Sequence, residues 1–208
     1  ACQPNIIMEN DPGVCTWTSQ AHSLTPLLAN SNCPYTIKWK VTNPDKTQST
    51  GNNDVSGYVF QPGVSTVKYF IRENSGSQGD SCYFNVTVTD DQAPVITCQA
   101  PISTVTTAGK CDKDITLILP TWKDNCSKSV NMTYTVHGPD NTIKGPFTST
   151  ALTFKFIVGV SQVIWTITDD AGNTAQCYQE VSVTADNKDL VPNAGSDAII
   201  CEGSAYKI

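Results

Sequence analysis

The cysteines are the residues of this chain whose type and spacing carry the clearest chemistry. Nine cysteines occur in 208 residues, a content typical of secreted proteins whose thiols are oxidised to disulfides. Zinc is disfavoured because zinc sites use close pairs such as C-x-x-C, and at least 12 residues separate neighbouring cysteines here. Eight of the cysteines form two series displaced by 96, 96, 93 and 95 residues: Cys2, Cys15, Cys33 and Cys82, then Cys98, Cys111, Cys126 and Cys177. We therefore expect a disulfide framework, in an oxidising space outside the cytosol.

A set of aspartates has the chemistry of a calcium site. They approach one another if the joint between the two cysteine series lies over the loop end of the second, and hard oxygen ligands in number suit calcium. The alternative is that these residues favour turns and caps and are solvated. The sequence thus requires no cofactor and favours calcium as the one ion to test. The candidate ligands are Asp90, Asp91, Asp124, Asp169 and Asp170.

Trp122 is the candidate for binding a sugar. It stands beside Asp124 and Asn125, and an exposed aromatic ring with polar neighbours would suit stacking on a sugar ring. The alternative is that its ring packs against the core or a loop.

Several function classes have no support. His22 and His137 are the only histidines, and neither belongs to a nucleophile or metal motif, so we expect a non-enzymatic protein. The net charge is −6 and Arg72 is the only arginine, which disfavours nucleic-acid binding. No apolar run approaches the length needed to span a membrane.

A shorter pattern indicates that the cysteine series mark a duplicated module. The pattern F-x-x-G-V-S-x-V-x-aromatic begins at Phe60 and again, 96 residues later, at Phe156. Tandem modules serve length or multivalency more often than turnover. We predict one domain over 1–91, a second over 92–186, and a linker with the start of a truncated third over 187–208. The sequence is accordingly expected to be a piece of a longer secreted protein.

Alternating apolar and polar residues predict strands throughout. In the second module we expect Val163, Trp165 and Ile167 to point inward, and D-A-G-N at 170–173 to form a hairpin turn. Short strands at this spacing predict an all-β fold of tandem immunoglobulin- or fibronectin-like antiparallel β-sandwiches. The strands predicted in the second module are 101–107, 114–119, 131–137, 152–157, 162–168 and 175–184.

The second module resembles the hyalin-repeat (HYR) family of extracellular sandwich domains. The resemblance covers about 93 to 184 and includes A-P-V-I-T-C ending at Cys98, K-D-N-C ending at Cys126, W-T-I-T-D-D-A-G-N from Trp165, and Cys177. The first module matches less well, since Ser31-Asn32-Cys33 stands where the family shows Asp-Asn-Cys.

The segment after the second module resembles another repeat type. N-A-G-S-D from Asn193 and C-E-G from Cys201 are similar to the opening of PKD-like repeats of Bacteroidetes surface proteins. Hyalin-type modules followed by such repeats resemble the long adhesins of gliding flavobacteria, which use the type 9 secretion system. This resemblance implies an adhesive or filamentous role at the cell surface.

In a sandwich of this kind, Cys126 and Cys177 fall at the same end, which implies the pairs Cys126–Cys177 and Cys33–Cys82. Elimination leaves Cys2–Cys15 and Cys98–Cys111. A straight first strand would hold these last pairs far beyond disulfide distance. Either that strand folds back, or the pairing differs.

Together these observations predict a non-enzymatic stalk segment of a secreted cell-surface adhesin or filament, serving adhesion and gliding motility. Its expected partners are neighbouring repeats of the same long chain and a surface polysaccharide, with no nucleic acid and no membrane insertion. The rival interpretation is a carbohydrate- or calcium-dependent binding module, accessory to a secreted enzyme. A fragment of a eukaryotic matrix protein or receptor is the third.

Overall fold

We describe the protein from a computed structural model, over residues 2–21, 24–26, 34–73 and 79–186. Every regular element in these ranges is a β-strand, so the predicted all-β class is confirmed. The chain divides into two compact units, Ala1–Gln92 and Ala93–Ile208, one residue away from the predicted boundary between 91 and 92. The predicted third domain at 187–208 lies outside the described residues.

The described residues of the first unit form seven strands. Its larger sheet has the strand order β1-β7-β6-β3-β4, and β2 pairs with β5 in a second, two-stranded sheet. The strands are β1 (Ile6–Glu9), β2 (Trp17–Thr18), β3 (Tyr35–Thr42), β4 (Gln48–Asn52), β5 (Val59–Phe60), β6 (Gly63–Glu73) and β7 (Asp80–Thr89).

Over the described residues 93–186, the second unit repeats this plan with nine strands. The strands are β8 (Val95–Thr97), β9 (Ile102–Val105), β10 (Asp112–Thr116), β11 (Thr121–Lys123), β12 (Asn131–His137), β13 (Ile143–Thr148), β14 (Thr153–Ile157), β15 (Gly159–Thr168) and β16 (Thr174–Thr184). Its larger sheet has the order β13-β12-β15-β16-β9, while β10 pairs with β14 and β11 with β8.

One parallel pair distinguishes each larger sheet. β1 runs parallel to β7 in the first unit and β9 runs parallel to β16 in the second, whereas the other strand pairs are antiparallel. The start of each unit therefore lies beside its last strand. In each unit the larger sheet and the two-stranded pairing or pairings contribute to one hydrophobic cluster, so each unit is an immunoglobulin-like β-sandwich.

The alternating pattern places the core as predicted. Val163, Trp165 and Ile167 are fully buried in β15, and Tyr69 of β6 is fully buried at the position matching Trp165. Each unit has its own hydrophobic cluster, as expected when two sheets each bury one face.

The structure corrects one predicted strand and adds three. The strand predicted over 114–119 ends at Thr116, and the chain resumes as β11 after Pro120 with a different partner, β8 instead of β14. Proline lacks the N–H that a strand ladder needs, so pairing breaks there. The short strands β8, β11 and β13 were not predicted from the alternation.

Candidate functional site

In each unit, one disulfide joins the beginning of the unit to its last strand. Cys2 bonds Cys82 with a Cα–Cα distance of 5.4 Å, and Cys98 bonds Cys177 at 5.7 Å. The parallel pairing explains both, because Ile6 stands opposite Val86 and the cysteines lie four residues before each of them. Two strands that run in the same direction keep the same register over these four residues, so Cys2 lies beside Cys82.

The four predicted disulfide pairs are therefore wrong. Cys33–Cys82 and Cys2–Cys15 fail because Cys2 bonds Cys82, and Cys126–Cys177 and Cys98–Cys111 fail because Cys98 bonds Cys177. The positions of the cysteines near strand ends do not reveal that a strand near the start of each unit pairs in parallel with the last strand. The available signal was the separation within the pairs, which is 80 in one unit and 79 in the other.

The remaining described cysteines are also oxidised. Cys15, Cys111 and Cys126 are each disulfide-bonded, while Cys33 lies outside the described residues. All seven cysteines in the described part of the chain are thus half-cystines, a state found mainly outside the cytosol.

Among the predicted calcium ligands, Asp124 occupies the loop that follows β11. Its Oδ2 accepts hydrogen bonds from the backbone N–H groups of Cys126, at 2.8 Å, and Ser127. Its Oδ1 is buried and accepts no hydrogen bond from the described residues. One oxygen of this carboxylate therefore shapes the loop and the other has no donor.

Asp169 closes the loop between β15 and β16, as the predicted hairpin requires. Its Oδ1 accepts from the N–H groups of Ala171 (2.9 Å) and Asn173 (2.8 Å), and its Oδ2 accepts from Asn173 Nδ2 (2.9 Å). The residue is 6% exposed. Local turn hydrogen bonds thus account for Asp169 without any ligand.

The two aspartate loops of the second unit meet. A carboxylate oxygen of Asp124 lies within 4.8 Å of one of Asp169, and the N–H of Asp170 donates to Ser127 Oγ at 3.1 Å. The side chain of Asp170 accepts a longer bond, 3.5 Å, from Ser129 Oγ and is exposed. Two close carboxylates favour a cation between them, and carboxylate oxygens are the ligands that calcium prefers.

Asp90 and Asp91 follow β7 at the end of the first unit. Asp90 Oδ1 accepts from the N–H of Gln92 at 3.2 Å, and the N–H of Asp91 donates to Asn10 Oδ1 at 3.4 Å. The carboxylate of Asp90 thus makes a local turn contact, whereas the backbone of Asp91 bonds a residue 81 positions away in the same unit. Their membership of a calcium site stays a prediction.

The remaining candidate, Trp122, lies in a strand, as does His137, for which no functional role was expected. Trp122 of β11 is half-buried and packs against the core cluster of the second unit, so its binding of a sugar stays a prediction. His137 is the last residue of β12, opposite Gln162 and Ile143, a position that fits an ordinary strand residue.

No protein-family model matches the chain. Hyalin of Strongylocentrotus purpuratus is 30% identical over 141 residues, which are 67% of this chain and 10% of that protein. The chain thus spans about a tenth of the length of the curated relative that it matches.

Solved structures of repeated β modules also match. The fibronectin(III)-like modules of Clostridium thermocellum CbhA are 16% identical, cover 88% of this chain and 90% of theirs, and give a TM-score of 0.35. Drosophila N-cadherin EC1-4 is 16% identical to this chain. The match covers 88% of this chain and 48% of the cadherin chain, with a TM-score of 0.41.

The described residues contain no helix long and apolar enough to cross a membrane. The oxidation of all seven described cysteines is typical of extracellular proteins. In sequence it is similar to hyalin and in strand topology it is immunoglobulin-like, which supports its resemblance to hyalin repeats.

Proposed function

We propose that this chain is a non-enzymatic, load-bearing repeat segment of an extracellular adhesion protein. The observation that carries the proposal is the disulfide from the start of each unit to its last strand, Cys2–Cys82 and Cys98–Cys177. A segment that transmits tension must resist lengthening, and a covalent link between its two ends does that directly.

The strand directions support the same role. In a parallel pair such as β1 and β7, a pull on the start of one strand and the end of the other loads the ladder hydrogen bonds together, in shear. Because Cys2 precedes β1 and Cys82 precedes the paired residues of β7, the disulfide gives the pull a covalent path past the ladder. The ladder carries the load alone once the bridge is reduced. Adhesion modules joined in tandem would each respond in this way.

Stretching single molecules held at their two ends tests the proposal. With disulfides intact, the residues enclosed by each bridge cannot extend. Reduction should then add up to about 280 Å of contour length per unit, since nearly 80 residues extend by at most ~3.6 Å each.

A Cys98→Ser/Cys177→Ser variant provides the matched control. It retains Cys2–Cys82, so without reductant the second unit alone should gain contour length while the first keeps its short extension. Equal extension of the intact chain before and after reduction would contradict the proposal.

Calcium binding at Asp124 and Asp169 is a second candidate function. It is favoured by the buried Asp124 Oδ1, which accepts no hydrogen bond among the described residues, and by the short distance between the two carboxylates. A bound cation would supply the missing partner of Oδ1 and offset the repulsion between the two charges. Participation of Asp90, Asp91 and Asp170 stays a prediction.

The finer assignments follow from the sequence resemblance alone. A bacterial gliding adhesin with type 9 secretion and a PKD-like third domain stays a prediction, as does display at the cell surface. Binding of a surface polysaccharide through Trp122, which the sequence suggests from the polar residues beside that ring, also stays a prediction.

A further inference from the structure

The outer face of the larger sheet in the first unit carries a group of cations. Lys38 and Lys40 alternate with the buried Val41 and half-buried Trp39 along β3, so both lysines point away from the core. Lys68 stands opposite Lys40, and Arg72 lies four residues further along the same face of β6. Four positive charges thus share one face of a protein whose net charge is −6.

Two aromatic side chains accompany these cations. Phe70 stands opposite Lys38, and Tyr83 stands opposite Lys68. Lys68 Nζ lies 5.0 Å from the centre of the Phe70 ring, which holds the ammonium group in place without neutralising it. Tyr83 is 72% exposed. We call these six residues, Lys38, Lys40, Lys68, Phe70, Arg72 and Tyr83, the basic face.

No carboxylate neutralises the basic face within the part of the chain that the structure describes. The ion pairs found there join Lys155 to Asp112 and Asp114 in the other unit. The charges of the basic face therefore remain available to an external anion. Thr50 and Asn85, which stand opposite Lys40 and Thr66, add polar groups at its border.

The second unit has the same face without the charge. Its corresponding row is Thr135, Ile164 and Tyr178, in the same pairing register as Lys40, Lys68 and Tyr83. The exposed tyrosine is thus present in both copies, at 58% and 72% exposure, whereas the cations occur in the first copy alone. Because the second unit forms the same sheet without those cations, the fold does not require them.

We propose that the basic face binds an anionic polysaccharide, one bearing carboxylate or sulfate groups. Lysine and arginine supply the charge complementarity, the exposed Tyr83 ring offers a surface for a sugar, and the bordering hydroxyl and amide groups suit sugar hydroxyls. The oxidised cysteines place the protein outside the cytosol, where nucleic acid is not the usual polyanion. This inference is independent of the load-bearing role.

Binding of the intact protein to immobilised heparin and dextran sulfate, with neutral dextran as the blank, tests the proposal. A Lys38→Thr/Lys40→Thr/Lys68→Ile variant gives the first unit the residues that the second unit already tolerates. We expect it to bind both polyanions at least about tenfold more weakly, with a shallower dependence on salt. The control, Lys123→Thr/Lys128→Thr/Lys144→Thr, removes the same charge from exposed positions in the second unit and should bind like the wild type.

A gain-of-function variant guards against misfolding as the cause. Thr133→Lys/Thr135→Lys/Ile164→Lys copies the charges into the second unit and should strengthen binding. Three outcomes would overturn the proposal: no binding by the wild type, equal loss in both Lys variants, or binding to phosphatidylserine vesicles with none to the polysaccharides.

Discussion

Gly159 and Pro139 approach each other so closely in the second unit that a Cβ on the glycine would lie 2.6 Å from the proline Cβ. Gly159 also has a φ of +125°, which L side chains rarely adopt. Gly63 and Pro44 repeat the relationship in the first unit, at 3.3 Å to Cγ and a φ of +100°. The repeated F-x-x-G pattern thus has glycine at this position because a proline from another turn of the chain, Pro44 or Pro139, lies where a side chain would be.

That turn is itself duplicated. Asp140 follows Pro139, and its Oδ1 accepts from the N–H (3.2 Å) and the hydroxyl (2.7 Å) of Thr142. Asp45 accepts from Thr47 in the same way, at 3.0 and 2.6 Å. In both turns the hydrogen bonds from the threonine lower the pKa of the aspartate.

Gly159→Ala should destabilise the second unit by about 2–4 kcal/mol, since it combines backbone strain with displacement of Pro139. Gly172→Ala is the matched control, because Gly172 has a φ of +96° but no heavy atom within 4 Å of a Cβ; it should cost about 1–2 kcal/mol. Denaturant unfolding measures both. A Pro139→Gly background removes the Cβ that the new methyl group would meet and should relieve part of the Gly159→Ala effect. Identical losses at the two glycines would contradict the explanation.

Peptide mapping of the unreduced protein should recover Cys2 joined to Cys82 and Cys98 joined to Cys177. Removing the latter bridge with Cys98→Ser/Cys177→Ser should cost about 2–5 kcal/mol, because it frees a loop of nearly 80 residues in the unfolded chain. A peptide joining Cys126 to Cys177 would refute the parallel register at the start of the unit.

Tyr69 should make the first unit sensitive to alkali. Its hydroxyl donates to the Leu24 carbonyl (2.9 Å) and accepts from the Val55 N–H (3.0 Å), and burial raises its pKa to about 12. The unfolded state loses its proton at an ordinary tyrosine pKa near 10. This contribution to stability is therefore complete below pH ~10 and is lost as the pH rises through about 12.

Tyr69→Phe should lower stability at pH 8 by about 1–3 kcal/mol, because the buried Val55 and Leu24 groups lose their partner. It should also reduce the loss of stability between about pH 10 and 12, the range between the unfolded and folded pKa values of Tyr69. Tyr83→Phe, at an exposed position, should do neither. Hydrogen exchange of the Val55 amide measures directly whether its bond to Tyr69 is lost. Unchanged protection of that amide in Tyr69→Phe would count against the hydrogen-bond assignment.

Calcium should raise the thermal unfolding temperature of the intact protein if Asp124 and Asp169 hold the ion. Asp124→Asn should abolish that increase, while the amide oxygen can still accept the loop hydrogen bonds that Asp124 Oδ2 accepts from Cys126 and Ser127. Asp112→Asn, which weakens an exposed ion pair with Lys155, should leave the increase unchanged. Titration calorimetry with calcium chloride, against a magnesium control, measures the binding directly; a calcium response equal in the wild type and Asp124→Asn would exclude this site.

The sequence by itself determined the features that depend on local pattern. Alternation fixed which side of β15 is buried, since Val163, Trp165 and Ile167 must all face one way along a strand. The internal repeat indicated two similar units, and the D-A-G-N loop was identified because glycine and asparagine tolerate positive φ.

Tertiary structure alone decided which distant residues meet. Cys2 bonds Cys82 because β1 lies parallel to β7, and strand direction leaves no mark on a period-two pattern. The basic face likewise exists only through register, since Lys40 and Lys68 become neighbours when β3 pairs with β6. The alternation of apolar and polar residues shows which side of a strand is buried. Which strand lies beside it, in which direction and in which register, depends on how the sheets pack.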